Sequence, residues 1–246
     1  VSFDVARGET LAIVGESGSG KSTTARLVAK LLKPTTGTLE FDGEDVTALP
    51  DTALREFRRN VQVVFQDPFA SLNPRHTVEQ IVSAPLRYQR LPGAKNPAAR
   101  VKELMERVGL NPDHSKRFPA QFSGGQAQRI GIARALIVGP QLVVCDEAVS
   151  ALDVSVQAQV IELLKDLQRE RGLSYVFIAH DLAVVRQIAH SVAVMNSGEI
   201  VEHGQRDDVF DKPQHEYTRT LLNAIPQINP EWDAARLARE RKETPA

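Results

Sequence analysis

The chain has 246 residues, 42 % of them hydrophobic and 25 % charged, which fits one large soluble-type domain or two small ones. A formal net charge of −1 supplies no global basic field of the kind that holds nucleic acid, so no nucleic-acid partner is expected. No apolar run approaches the roughly 20 residues of a membrane span, the lone Cys145 excludes an internal disulfide, and no signal segment opens the chain, whose start at Val1 reads as a piece of a longer protein.

Five short runs rich in β-branched residues punctuate the chain. They are Leu11-Ala12-Ile13-Val14, Val61-Gln62-Val63-Val64-Phe65, Leu142-Val143-Val144-Cys145, Tyr175-Val176-Phe177-Ile178-Ala179 and Val192-Ala193-Val194-Met195. Apolar on both faces, they read as buried parallel strands. Helical stripes lie between them. Leu27, Val28, Leu31 and Leu32 form one face, and Val156, Val160, Leu163, Leu164 and Leu167 form another that Gly172 stops. The alternation predicts an α/β sheet covered by helices.

Two regions depart from it. Residues 36–48 carry alternating Leu39 and Phe41 closed by Asp42-Gly43, the pattern of a small antiparallel element. Residues 69–139 hold helical stretches and no convincing strand. One opens at Pro97, carries Val101, Leu104, Met105 and Val108, and ends at Gly109. The tail from Glu231 to Ala246 mixes both charge signs and reads as a solvated helix or a disordered end.

Gly15-Glu16-Ser17-Gly18-Ser19-Gly20-Lys21-Ser22, followed by Thr23, matches the phosphate-loop pattern in full. Glycines let the backbone N–H groups turn inward around phosphate oxygens, and the following helix adds its positive end. Lys21 can reach the β- and γ-phosphates of ATP, and the Ser22 hydroxyl can bind Mg²⁺. Further on, an apolar strand ends in Asp146 and Glu147. Carboxylates there are costly unless they serve something. Beside a phosphate loop, Asp146 suits Mg²⁺ and Glu147 suits a general base. Kinases, GTPases, helicases and transport ATPases all use such a loop, so it does not choose a function.

Phe122-Ser123-Gly124-Gly125-Gln126-Ala127-Gln128-Arg129 is more specific. It closely resembles the signature of ABC ATPases, usually Leu-Ser-Gly-Gly-Gln, and it precedes the acidic strand as in that family. Gln66 resembles the Q-loop glutamine, Ser150-Ala151-Leu152-Asp153 the D-loop, and His180 the switch histidine. From the residues alone, Ser123 and Gln126 have capping-box spacing, so a helix starts there.

The resemblance covers nearly the whole chain and implies a RecA-like phosphate-loop core over 1–68 and 140–210, with the β element near 36–48. It further implies a helical subdomain at 69–139 and an extension at 211–246, all in one ABC ATPase domain. Gln66, Lys21, Glu147 and His180 are then catalytic, with Gln66 joining Ser22 and Asp146 at Mg²⁺. Ser123, Gly124, Gly125, Gln126 and Asp153 would reach ATP held by the phosphate loop of a second, identical or related ATPase domain.

Ala148-Val149 after the carboxylates, where the family commonly has Pro-Thr, resembles the peptide and nickel importer branch. So does the segment from His215-Glu216-Tyr217-Thr218 to Ile225-Pro226. That branch implies an ATPase peripheral to the cytoplasmic side of the inner membrane. It would work on transmembrane permease subunits and, indirectly, a solute-binding protein, to import oligo- or dipeptides. The rival readings are a soluble ABC ATPase acting on ribosomes or DNA, an ATP-binding module whose partner hydrolyses, and a small-molecule kinase. The cysteine-rich stretch of many relatives has no counterpart, so no iron–sulfur cluster is expected. The family's adenine-stacking aromatic lies upstream of the strand region that holds Phe3, so this stretch is expected to bind ATP more weakly than a longer chain.

Overall fold

The computed structural model describes residues 1–224; the expectations for Ile225, Pro226 and the charged tail fall outside them. Within these residues a six-stranded sheet is built from β1 (Thr10–Val14), β4 (Val61–Val64), β5 (Leu142–Asp146), β6 (Ser174–Ile178), β7 (Ser191–Asn196) and β8 (Glu199–Gln205). Their order is β4-β5-β6-β1-β7-β8, parallel except for β8, which pairs antiparallel with β7. A separate hairpin pairs β2 (Glu40–Phe41) with β3 (Glu44–Asp45) through Asp42 and Gly43, both at positive φ as a tight hairpin turn requires.

Because strand side chains alternate, each parallel strand feeds two cores. Ala12, Val14, Cys145, Tyr175, Phe177, Val192 and Val194 belong to the larger one, together with the helices of residues 69–139. Leu11, Ile13, Val144, Val176, Ile178, Ala193 and Met195 belong to the other, beneath the β hairpin. This double burial explains why these strands are apolar throughout, as expected for an α/β sheet.

The helices are α1 (Lys21–Val28), α2 (Asp51–Asn60), α3 (Pro68–Ser71), α4 (Val78–Gln89), α5 (Ala98–Arg107), α6 (Gly124–Leu136), α7 (Val154–Arg171), α8 (Leu182–Ile188), α9 (Arg206–Asp211) and α10 (Glu216–Asn223). Two 3-10 turns, Pro112–Lys116 and Pro119–Gln121, lie between α5 and α6, and no strand occurs in 69–139. Gly172, in the left-handed conformation, ends α7 as expected.

Two expectations need correction, for α1 and Phe3, and one strand, β8, is not among those expected. α1 stops at Val28 rather than running through Leu32. Lys30 turns left-handed (φ 52°), the Leu31 N–H bonds back to the Arg26 carbonyl, and Leu31 and Leu32 are exposed. β8 is an added edge strand whose charged sequence conceals it; it follows a Ser197-Gly198 turn with both residues at positive φ. Phe3 lies outside any strand and packs against the second core.

Cys145 is fully buried, and that burial, helped by the adjacent Asp146 charge, pushes its thiol up to about 12. A thiolate-selective reagent at neutral pH is therefore expected to leave the folded protein unlabelled and to label it in denaturant. Labelling of the native protein, read by mass spectrometry, would contradict this burial.

Candidate functional site

The parallel strands all point their carboxyl ends to one side, where open α/β sheets gather ligand-binding loops. Residues 15–23 follow β1 there, Gln66 follows β4, Glu147 follows β5 and His180 follows β6. The phosphate loop is shaped by Gly15, Gly18 and Gly20, at φ 147°, 83° and 105°, before Lys21 begins α1. Glu16, Ser17 and Gly18 are exposed at its tip, Ser19 is buried, and Thr23 is exposed on the first turn of α1.

Lys21 is buried, and its Nζ donates to the carbonyls of Gly15 (2.8 Å) and Glu16 (2.7 Å). Burial holds its ammonium below the usual lysine value, while the charges of Glu147 and Asp146 act in the opposite direction. The lysine therefore closes the loop on itself, within the field of the two carboxylates. The buried Ser19 hydroxyl has no hydrogen-bond partner, an arrangement that a phosphate oxygen would satisfy.

Ser22 Oγ donates to Asp146 Oδ1 at 2.9 Å across 124 residues of chain. A hydroxyl and a carboxylate brought together beside a phosphate loop form a hard oxygen set that fits Mg²⁺, which keeps most of its remaining ligands as water and phosphate. Among the described residues no cluster of three or more His, Cys, Asp or Glu could hold a metal unaided.

The second acidic residue sits in a different frame. Glu147 is a non-glycine residue at φ 49°, an uncommon conformation held from several sides. Its N–H donates to the Ile178 carbonyl (3.1 Å), and its carbonyl accepts from the N–H and hydroxyl of Ser150 (3.1 and 2.9 Å). Its side chain is turned toward Gln66, whose Nε2 donates to Glu147 Oε2 at 2.8 Å, with His180 Nδ1 3.7 Å from the same oxygen. Gln66, Glu147 and His180, 114 positions apart from first to last, thus converge on one carboxylate oxygen.

Ser150, the first residue of the segment that resembles the D-loop, also ties this group together, its hydroxyl lying 3.4 Å from Gln66 Nε2. Asp181 also holds a place: its carboxylate accepts from the N–H groups of Ala183 and Val184, capping α8 and setting the chain just after His180. The signal for Asp181 is in the sequence, as an Asp immediately before the apolar stripe of α8.

The signature residues stand apart from this cluster. Ser123 caps α6 in a reciprocal box, its hydroxyl accepting from Gln126 N–H and Gln126 Oε1 accepting from Ser123 N–H (3.0 Å). Ser123 and Gln126 are exposed, and no hydrogen bond among the described residues joins 123–126 to 15–23. Gly124 and Gly125 lie against Leu152 and Val156, which places the signature turn on the start of α7. Asp153, the N-cap residue of α7, makes no capping bond with its side chain and is exposed beside Val154, itself 82 % exposed.

Known proteins resemble this chain in sequence and in fold. Residues 1–150 match the model of the ABC transporter family, and residues 201–246 match that of the oligopeptide/dipeptide transporter C-terminal region. The chain is 54 % identical over 230 residues to the glutathione import ATP-binding protein GsiA of Escherichia coli (strain K12), and 52 % identical to that of Pectobacterium atrosepticum. Each alignment covers 94 % of this chain but 37 % of the relative, so the chain spans little more than a third of their length. Among solved structures, cbiO1 of Clostridium perfringens, part of the ABC transporter complex cbiONQ, superposes with a TM-score of 0.79 at 28 % identity, over 95 % of this chain and 90 % of its own. The ATP-binding cassette MJ0796, in a dimeric post-hydrolysis state bound to ADP and Pi, gives 0.73 at 32 % identity, over 83 % and 88 %.

Proposed function

The chain belongs to the ABC transporter family, and from that premise we propose that it is the ATP-hydrolysing subunit of an importer for a peptide-like solute. The observation that carries the proposal is the convergence of Lys21, the Ser22–Asp146 pair and the Gln66–Glu147–His180 group at one end of the sheet. The loop from Gly15 to Thr23 would wrap the phosphates of ATP with its N–H groups, and Lys21 would exchange its two carbonyl contacts for the β- and γ-phosphates. Ser22, Asp146 and Gln66 would hold Mg²⁺, which when bound neutralises charge on the phosphate oxygens.

Glu147 is the general base in this reading. Its carboxylate is held by Gln66 and faces His180, which would orient the attacking water and contact the γ-phosphate. The exposed turn of Ser123, Gly124, Gly125 and Gln126, with Asp153, supports a role in trans, because the capping box uses only the N–H groups of Ser123 and Gln126, leaving those of Gly124 and Gly125 at the start of α6, and among the described residues no hydrogen bond joins the turn to the chain's own phosphate loop. A second ATPase domain, identical or related, would supply the other half of each site. Binding of the γ-phosphate across that interface would drive closure.

Phe65 and Phe69, 39 % and 45 % exposed, flank Gln66 and give transmembrane subunits an apolar surface next to the catalytic group. No helix of the described residues is long and apolar enough to cross a membrane itself. We place the protein peripherally on the cytoplasmic side of the inner membrane, against permease subunits that receive solute from a binding protein. The peptide class rests on the match to the oligopeptide/dipeptide C-terminal region and on relatives named for import of the tripeptide glutathione.

The test is affinity purification of the full-length protein from solubilised membranes, with co-purifying proteins identified by mass spectrometry. Permease subunits and a solute-binding protein are expected. Ribosomal or DNA-repair proteins from a soluble fraction would overturn the transport reading.

A further inference from the structure

The C-terminal segment contacts the nucleotide site directly. The Tyr217 hydroxyl accepts a hydrogen bond from the Glu16 N–H at 3.1 Å, joining α10 to the phosphate loop across 201 residues of chain. We propose that Tyr217 is a positioning residue that pre-sets the phosphate loop for ATP, a role that rests on the reading of residues 15–23 as the ATP site.

The loop needs such support at this peptide unit. Gly15, Gly18 and Gly20, all at positive φ, give it backbone freedom that other residues would lack. The Glu16 carbonyl accepts from Lys21 Nζ (2.7 Å) and from Ser19 N–H (3.2 Å), while the Glu16 N–H goes to Tyr217. When Lys21 leaves its two carbonyls for a phosphate, the Tyr217 bond and the Ser19 N–H bond still hold the Glu16 peptide unit, while the Gly198 N–H holds the Ser19 carbonyl (3.0 Å) farther along the loop. A loop kept in shape before and after the exchange loses less conformational freedom on binding.

Tyr217 can do this because its own helix is anchored. Glu202 of β8 accepts from the N–H groups of Gln214 (2.8 Å) and His215 (3.0 Å), at the entry to α10. His215 Nδ1 then caps the helix by accepting from Tyr217 N–H (3.1 Å), and Arg219 donates to the carbonyls of Pro213 and Gln214, both at 3.0 Å. Tyr217, Leu221 and Leu222 pack against the larger core. β8 pairs with β7, β7 pairs with β1, and β1 ends at the loop. The tyrosine and the loop are therefore both fixed to one sheet, and the oligopeptide-type C-terminal region reaches the nucleotide site of its own chain.

The experiment measures binding of a fluorescent N-methylanthraniloyl ATP, steady-state hydrolysis and thermal unfolding on the full-length protein. Wild type must bind the probe; failure there strikes the ATP reading itself and not this role alone. With wild-type binding established, Tyr217→Phe keeps the ring and its packing and removes only the acceptor. It is expected to weaken affinity and raise KM about three- to tenfold, the span of one neutral hydrogen bond. kcat at saturating ATP should stay within about twofold, because the transition-state contacts are untouched. Glu202→Ala should weaken affinity similarly, and the double variant should be little worse than either single one, since both act through the same contact. Unchanged affinity in Tyr217→Phe would overturn the proposal. So would a loss of affinity that tracks a large fall in Tm, which would mark a merely structural residue.

Discussion

Glu147→Gln is expected to bind ATP as the wild type does and to lower hydrolysis by at least about a hundredfold, the scale of a positioned general base. The prediction is sharp because the substitution changes so little else. The backbone of Glu147 is fixed by Ile178 and Ser150 through main-chain atoms, and those contacts do not depend on the side chain's charge. A glutamine can turn its carbonyl oxygen toward Gln66 Nε2, keeping the 2.8 Å contact that orients the group. Lys21 and the Ser22–Asp146 pair, which carry phosphate and Mg²⁺ in the proposed mechanism, are not in hydrogen-bond contact with it. What the variant loses is the ability to take a proton from water. Phosphate release and nucleotide binding, measured on the same preparation, separate the two effects. Undiminished phosphate release would remove Glu147 as the base; loss of binding would make it a structural support of the loop.

The left-handed backbone at Glu147 gives this prediction a structural reason. A β-strand that simply met solvent would continue into an ordinary loop, and a glutamate there would have no need of an uncommon φ. Here the strained residue is held by hydrogen bonds on its N–H, its carbonyl and its carboxylate. Strain tolerated in this way, at a carboxylate aimed toward a glutamine and a histidine, is characteristic of sites where position matters more than local comfort.

None of that strain is visible in residue types. The parallel strands are legible because burial on both faces leaves continuous apolar runs, and α7 because its stripe is long and ends at Gly172. β8 is hidden: an edge strand, half-exposed and written Glu-Ile-Val-Glu-His-Gly-Gln, shows neither a run nor a clean alternation. α1 extends too far on paper because Leu31 and Leu32 keep the helical spacing after Lys30 has already reversed the chain. The phosphate loop and the acidic pair stand out by local pattern. The approach of Gln66 and His180 to Glu147 is implied only by family resemblance, since the three follow separate strands. The bond between Tyr217 and Glu16 spans nearly the whole chain, and no local rule of spacing could suggest it.

Gly15→Ala is the second large effect expected, and it separates the glycines of the loop by physical cause. A Cβ at Gly15 would lie 2.0 Å from the Met195 carbonyl oxygen and 3.1 Å from its carbonyl carbon, with φ at +147°. Met195 belongs to β7, whose neighbouring Val194 is in register with Val14, so that carbonyl cannot retreat without opening the ladder beside the loop. The loop must move instead, and with it the Gly15 carbonyl that holds Lys21. At Gly20 the nearest atom is the terminal Cε of Met195, at 2.9 Å, which can rotate away, and at Gly18 no atom lies within 4 Å. Gly18→Ala therefore meets only the strain of its positive φ, on the order of 1 kcal/mol, and Gly20→Ala adds a soft contact. The expected order of nucleotide affinity is wild type, Gly18→Ala, Gly20→Ala, Gly15→Ala, with the last weakened more than about a hundredfold and its Tm lowered as well. Titration with the fluorescent ATP, alongside thermal melts, reads both. If Gly15→Ala bound nucleotide within a few-fold of wild type, the close approach of β7 would not govern the shape of the loop. The phosphate cradle would then owe its form to the flexibility of Gly18 and Gly20 instead.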